Sequence, residues 1–129
     1  MEYACPVRVL DVPYDPAVFF AMAKGMEHLP EGGERCFACY RTRLQSTAEA
    51  AAQGGYDWFT TTLSISPHKN AHWLNAIGVQ LGETYGVPYL ISDFNKNGGY
   101  ARSIALSETY GLYRQNWCGC VYSRQAAQV

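Results

Sequence analysis

The sequence predicts an α/β fold, in which a parallel sheet of about three strands packs against four helices in a single domain. Three runs rich in β-branched and aromatic residues, near 7–12, 57–63 and 87–92, are typical of strands. They alternate with helix-forming stretches of about a dozen residues or more, the pattern of a parallel sheet with crossover helices. The chain has 129 residues and is 48% hydrophobic, which fits one domain with a core.

The sheet is expected to continue beyond the three visible strands. A parallel sheet normally has both faces covered and more strands than this, and the first strand begins within a few residues of Met1. We therefore expect residues 1–129 to be a Rossmann-like domain that is truncated at its N-terminus.

The first half of the chain predicts two helices after the first strand. Asp15 suits an N-cap and Pro16 suits the first helical turn. Apolar residues then recur at helical spacing, at Val18, Phe19, Met22 and Met26. Proline and glycine break this helix within 28–34, and a second helix is predicted from about Cys39 to the pair Gly54–Gly55.

The second half predicts two more helices between and after the remaining strands. Ser66 and Pro67 fit the N-cap and first position of the third helix, which Gly86 ends. Its apolar stripe consists of Leu74, Ile77 and Leu81. The fourth helix is predicted over 98–111.

Charge and hydropathy exclude several classes of protein. No apolar run reaches the roughly 18 residues of a membrane span, and no basic segment followed by an apolar one marks a secretory signal. We therefore expect a cytoplasmic protein without a membrane partner. The net charge of -1 divides into -4 over residues 1–34 and +3 over 35–129. The positive excess is compatible with a polyanionic partner or with ordinary surface charge.

The five cysteines indicate metal or redox chemistry. An odd number without a secretory signal argues against a disulfide scaffold. Cys5 stands alone and is expected to be an inert apolar residue. Cys36 and Cys39 form a C-x-x-C, and two thiols at that spacing can bind one metal ion. With the second pair, Cys118 and Cys120, the spacing is compatible with three kinds of site: a structural zinc, an iron–sulfur cluster or a dithiol relay.

The second pair is a C-x-C around Gly119. Zinc ligands are usually two to four residues apart, so this spacing fits a zinc site less well. Two cysteines at i and i+2 can close a strained disulfide, and strained disulfides are easily reduced. Cys118 and Cys120 are therefore a plausible two-electron store, and Arg114 nearby would favour a thiolate.

Other polar residues are candidates for substrate contacts. Ser66 and Lys69 precede a predicted helix, a position that suits a phosphate and equally suits an ordinary cap. Asp93 follows a predicted strand end, where sites of α/β proteins lie. A further four side chains can donate protons, stack on a base or bind phosphate: Tyr100, Arg102, Tyr113 and Arg114.

Three long blocks of the chain resemble the QueH family of epoxyqueuosine reductases. They read "GGERCFACYRTRLQSTAEAA", "DWFTTTLSISPHKN" and "DFNKNGGYARSIALSETYGLYRQNWCGCVYS". The resemblance runs in family order from about Tyr14 to Ser123 and includes both cysteine pairs. It implies a cobalamin-independent oxidoreductase of queuosine biosynthesis, which removes the epoxide oxygen of epoxyqueuosine at the wobble base of tRNA.

The resemblance also implies cofactors, partners and residue roles. The implied cofactors are a 4Fe–4S cluster and a further metal ion nearby, which we expect to be an additional iron ion. Cys36 and Cys39 match two cluster ligands, and Cys118 and Cys120 match the redox-active pair. The implied partners are tRNA carrying epoxyqueuosine and an electron donor of unknown identity. The family's other two ligands are an adjacent Cys-Cys, which this chain does not contain, so we expect the family's first few dozen residues to be missing.

A different class of function fits the same cysteines. Four cysteines can hold a structural zinc ion in a non-catalytic module that binds nucleic acid. Colour distinguishes the two, because a 4Fe–4S protein purified without oxygen is brown and a zinc protein is colourless.

Overall fold

Four α-helices form the protein in a computed structural model that describes residues 6–13, 15–115, 117–122 and 124. They are α1 (Pro16–Ala23), α2 (Glu34–Gly54), α3 (Ala71–Tyr85) and α4 (Gly99–Tyr110). A short 3-10 turn, Leu63–Ile65, lies between α2 and α3. Cys5 lies outside the described residues.

The helix ends follow local chemistry. The side chain of Asp15 accepts a hydrogen bond from the Ala17 N–H at 3.1 Å, as predicted for an N-cap, and Pro16 is the first helical residue. Gly55 and Gly86 close α2 and α3 in the left-handed conformation that glycine adopts without steric cost.

Two predicted helix starts are wrong. Helix α2 begins at Glu34 rather than near Cys39, so both Cys36 and Cys39 are helical. Helix α3 begins at Ala71 with Asn70 as its N-cap. Ser66 instead closes a turn, in which its hydroxyl accepts the His68 N–H at 3.2 Å.

The core lies between α2 and α3. The predicted stripe of α3 is buried there, with Leu74, Ile77 and Leu81 each at most 2% exposed. It packs against the buried face of α2, which includes Tyr40, Leu44, Ala48 and Ala51. Phe59, Val87 and Tyr89 complete the cluster from the connecting segments. Helix α4 has no buried residue.

The predicted parallel sheet, and with it the Rossmann-like fold, is wrong for the described residues. They contain no strand, and only one isolated parallel bridge joins Phe59 to Tyr89. The first predicted strand, 7–12, is exposed along its length. A run with strand propensity forms a strand only where a neighbour pairs with its backbone, and this run has none in the described part of the chain.

Side chains take the place of a ladder around the bridge. Thr60 Oγ1 donates to the Leu90 carbonyl at 2.8 Å. Asn75 on α3 donates to the Ser92 carbonyl at 3.1 Å and accepts the Ser92 N–H at 3.2 Å. These bonds satisfy backbone groups that a second strand would otherwise pair, so the pairing stops after one bridge.

No helix in the described part of the chain combines the length and hydropathy needed to cross a membrane.

Candidate functional site

Helix α2 presents two thiols near its N-terminus. Cys36 lies in the first turn, where its Sγ accepts the Gly32 N–H at 3.2 Å. Cys39 lies one turn later, and both side chains are partly buried. The C-x-x-C spacing on a helix therefore directs both sulfurs toward one side of α2.

The segment after α4 brings the second pair to the same place. Gly119 has φ +97, a backbone conformation that favours glycine and turns the chain between Cys118 and Cys120. Tyr122 packs this segment against α1 and α2. Its ring stacks on Phe19 of α1 and lies 5.2 Å from the guanidinium carbon of Arg35 on α2.

All four of these cysteines line one small cavity of about 20 Å³, which we call the cysteine cavity. Five further residues complete its wall, namely Phe19, Arg35, Tyr40, Arg43 and Lys69. Cysteines that are about 80 positions apart in sequence therefore meet in the fold. Among the residues that the structure describes, no group of three or more His, Cys, Asp or Glu is arranged to hold a metal ion.

The wall of the cysteine cavity carries positive charge and no carboxylate. Arg35, Arg43 and Lys69 line it. Arg35 is only 3% exposed, and its Nη1 donates to the carbonyls of Met26, Glu27 and Leu29. Its Nε–H is buried without a hydrogen-bond partner among the described residues. A buried cation with a free donor favours a negatively charged group in this cavity.

Burial and charge act on the titrating groups in opposite directions. Burial raises the pKa of the Cys39 thiol, and the Arg43 guanidinium partly opposes this rise. The neighbouring Cys120 and Cys118 raise it further, as expected when several thiolates compete for one space. Burial also raises the pKa of Tyr40, and a hydrogen bond from the Asn70 backbone opposes that shift.

A much larger pocket, of about 780 Å³, adjoins the cysteine cavity. Its lining includes polar and aromatic side chains from four places: the loop before α2, the end of the 3-10 turn with the segment after it, α4, and the segment that follows α4. The lining residues are Glu31, Ile65, Ser66, His68, Lys69, Tyr100, Ser103, Ser107, Tyr113, Arg114, Gln115, Trp117 and Cys118. Lys69 and Cys118 line both spaces. A ligand in the large pocket would therefore meet the Cys118 thiol where the two spaces adjoin.

Most of the predicted substrate-contact residues lie in this pocket. Tyr100, Tyr113 and Arg114 line it, and the Arg114 guanidinium carbon lies 5.8 Å from the Tyr100 ring centroid. Arg102 is exposed and lines neither space, and Asp93 is 3.9 Å from the Lys96 ammonium outside both.

The sequence analysis missed four residues of the cysteine cavity. Arg35 precedes Cys36 by one residue, and Tyr40 and Arg43 follow Cys39 by one and four residues. The fourth residue, Phe19, is predicted from the sequence only as part of a helix face. Helical periodicity would have indicated Arg43 and Tyr40, since residues three and four apart share a face. No local signal indicates that α1 reaches the cavity.

Comparisons with known proteins identify the family of this chain. A family model described as epoxyqueuosine reductase QueH matches residues 1–126. The chain belongs to the QueH family. A relative with this name from Streptococcus pyogenes serotype M1 is 44% identical over 117 residues, which are 91% of this chain and 46% of the relative.

Other QueH relatives show similar coverage. The protein from Staphylococcus epidermidis is 44% identical over 119 residues, which are 91% of this chain and 50% of the relative. That from Thermotoga maritima is 40% identical over 105 residues, which are 81% of this chain and 55% of the relative. The chain spans about half the length of the curated QueH relatives it matches.

The residues of this QueH chain fit part of an iron–sulfur site. Thiolate sulfurs are the usual ligands of such clusters, and Cys36 and Cys39 supply two from adjacent turns. The unpartnered Nε–H of Arg35 fits a negatively charged, sulfur-rich group, because hydrogen bonds to sulfur are common around clusters.

Proposed function

We propose that this chain takes part in the reduction of epoxyqueuosine to queuosine at the wobble base of tRNA, in the cytoplasm. The observation that carries the proposal is the meeting of both cysteine pairs in one cavity that adjoins a large pocket. Membership of the QueH family supplies the substrate, because the curated relatives are named epoxyqueuosine reductases.

The reaction requires two electrons and two protons. Two C–O bonds of the epoxide break, a C=C bond forms, and the oxygen leaves as water. Two thiols that close to a disulfide release two electrons and two protons, so Cys118 and Cys120 balance one turnover. Cys118 also lines the large pocket, which favours this pair rather than Cys36 and Cys39 as the thiols that act on the substrate.

We assign Cys36 and Cys39 as two ligands of a 4Fe–4S cluster. Both lie on the rigid α2 helix, where Arg35 and Arg43 offset the negative charge of thiolates. When bound, the cluster would supply single electrons to regenerate the dithiol from an external donor, and an additional iron ion would supply Lewis-acid chemistry.

The large pocket is suited to a nucleotide. Tyr100, Tyr113 and Trp117 offer aromatic faces for a base, and Arg114 offers a cation for phosphate or ribose oxygens. The pocket volume of about 780 Å³ lies in the range of ordinary small-ligand sites. We therefore propose that the modified nucleotide of tRNA enters this pocket with its epoxide toward Cys118.

Complementation tests the proposed function. The chain is expressed in a bacterial strain whose tRNA accumulates epoxyqueuosine, and tRNA nucleosides are measured by mass spectrometry. We expect queuosine to appear with the wild-type chain and not with a Cys118→Ser, Cys120→Ser double variant. A strain that makes the wild-type chain as soluble protein and still contains only epoxyqueuosine would contradict the proposal.

A further inference from the structure

Lys69 stands at the junction of the two spaces. It and Cys118 are the two residues that line both the cysteine cavity and the large pocket. Its ammonium lies 5.7 Å from the centroid of the Tyr40 ring, and Tyr40 is 4% exposed. The cation is therefore held over a buried aromatic face, on the path from the nucleotide pocket to the thiols.

The backbone around Lys69 is fixed by short-range hydrogen bonds. Its N–H donates to the Ser66 carbonyl at 3.2 Å, which closes a turn. The next residue, Asn70, caps α3 by accepting the Trp73 N–H at 3.0 Å. Because the turn and the cap lie on either side of Lys69, its Cα position is set before any substrate binds.

The other cations near the junction are already engaged. Arg35 donates to three carbonyls, and the Arg43 guanidinium lies close enough to the Cys39 thiol to oppose the rise in its pKa. Arg114 donates to the Ser107 hydroxyl at 3.3 Å. Lys69 has no ion pair or side-chain hydrogen bond in the part of the chain that the structure describes, so its three N–H donors are available to a ligand.

We propose that Lys69 is a catalytic residue, which donates a proton to the epoxide oxygen as the C–O bonds break. This inference rests on the proposed function. Opening an epoxide places negative charge on its oxygen, and a proton donor at that atom stabilises the transition state. Lys69 then recovers a proton from the thiol pair, so the two thiol protons end in water and the lysine is unchanged after each turnover.

The competing role for Lys69 is to hold a phosphate of the tRNA. A phosphate-binding lysine contributes affinity that depends on salt, and its loss raises KM. A proton donor contributes only as the bond breaks, and its loss lowers kcat. The position of Lys69 over Tyr40, lining both spaces as Cys118 does, favours the second role.

Three variants of the full chain test the assignment. Lys69→Met removes the ammonium but keeps the apolar stem, and Lys69→Arg keeps a charge with a donor of much higher pKa. Lys96→Met is the matched control, because the Lys96 side chain is 76% exposed and its ammonium is 3.9 Å from Asp93. Each protein is reconstituted without oxygen, reduced, and mixed with tRNA that contains epoxyqueuosine.

We expect the single-turnover rate constant to fall about 100-fold in Lys69→Met, with less than a threefold change in tRNA affinity. Lys69→Arg should be nearly as slow, because guanidinium is a poor proton donor. Lys96→Met should match the wild type in rate and in affinity.

Two results would overturn the inference while leaving the proposed function intact. One is a single-turnover rate constant for Lys69→Met within threefold of that of an active wild type. The other is weaker tRNA binding with an unchanged rate at saturating tRNA, which would make Lys69 a phosphate ligand. A wild-type chain that binds tRNA without turnover would instead contradict the proposed function, and the role of Lys69 with it.

Discussion

Arg35 joins α2 to the loop before it and to the segment that carries Cys118 and Cys120, so Arg35→Met should lower the free energy of unfolding markedly. The residue is 3% exposed on α2, and its Nη1 donates to the carbonyls of Met26, Glu27 and Leu29 at 3.1, 3.4 and 2.6 Å. Its guanidinium also packs against Tyr122, two residues beyond Cys120. Methionine fills a similar volume but offers no donor to the loop and no charge to the ring.

The expected cost follows from the contacts that are lost. One Nη1 carries two hydrogens, so the three carbonyls amount to two charge-assisted bonds at about 1.5 kcal/mol each. The contact with Tyr122 adds roughly 0.5 to 1 kcal/mol. Removing a buried charge recovers part of its desolvation cost, which lowers the total. We expect the free energy of unfolding to fall by about 2 to 3 kcal/mol.

Urea unfolding followed by circular dichroism measures this difference. Arg41→Met is the matched control, because Arg41 is exposed on the same helix and donates one hydrogen bond, to Gln80 at 2.9 Å. It should change the free energy of unfolding by less than about 0.5 kcal/mol. If Arg35→Met is as stable as Arg41→Met, desolvation of the buried guanidinium cancels its hydrogen bonds and our reasoning about Arg35 is wrong.

Three further predictions concern the cysteines, the core and pH. In a version of the protein that also carries the family's Cys-Cys segment, Cys36→Ser should lose visible absorption and turnover after reconstitution, whereas Cys118→Ser should keep most of the absorption and lose turnover; equal bleaching by both would make Cys118 a ligand. Gly82→Ala should destabilise by about 1 to 3 kcal/mol, measured in urea, because its Cβ would lie 2.7 Å from the Val87 carbonyl oxygen; a variant as stable as wild type would show that this segment shifts freely. The free energy of unfolding should fall as pH rises past 10.0, because burial raises the Tyr40 pKa and the unfolded chain therefore loses its phenolic proton first. In Tyr40→Phe the free energy of unfolding should fall less over the same pH range, and parallel curves of this free energy against pH for the two proteins would refute the prediction.

The helices could be predicted from the sequence because their signals are local. The N-cap Asp15, the stripe of Leu74, Ile77 and Leu81, and the stop at Gly86 each act within about one or two turns. The start of α2 was placed too late because Gly33 offers no side-chain cap to mark it. In that case the chain itself carries no strong boundary signal.

The sheet could not be predicted because strand pairing is not local. The runs near 57–63 and 87–92 have strand composition, yet they share one bridge, Phe59 to Tyr89. Tertiary contacts decide the outcome there, since Thr60 and Asn75 bond to backbone groups that a ladder would use. Composition indicates that a segment suits a pleated surface, and only the fold shows whether a partner is present.

The spacing of the cysteines predicted the two pairs, but it did not predict that the pairs share one cavity. Spacing predicted that Cys36 and Cys39 act together and that Cys118 and Cys120 act together. It could not predict that the two pairs share one cavity, because about 80 residues separate them and the packing of Tyr122 on Arg35 and Phe19 brings the second pair in.

Charge around the cavity supports the proposed reduction chemistry over a cluster of neutral thiols. Four cysteines in about 20 Å³ would repel one another as thiolates, and burial makes ionisation still harder, as the raised pKa of Cys39 shows. Arg35, Arg43 and Lys69 supply positive charge at the wall, with no carboxylate among the lining residues. Negative charge that arrives with electrons or develops on a departing oxygen is therefore stabilised beside the thiols. In a site that only packs neutral sulfurs, the same three cations would lack an anionic partner and would destabilise the fold.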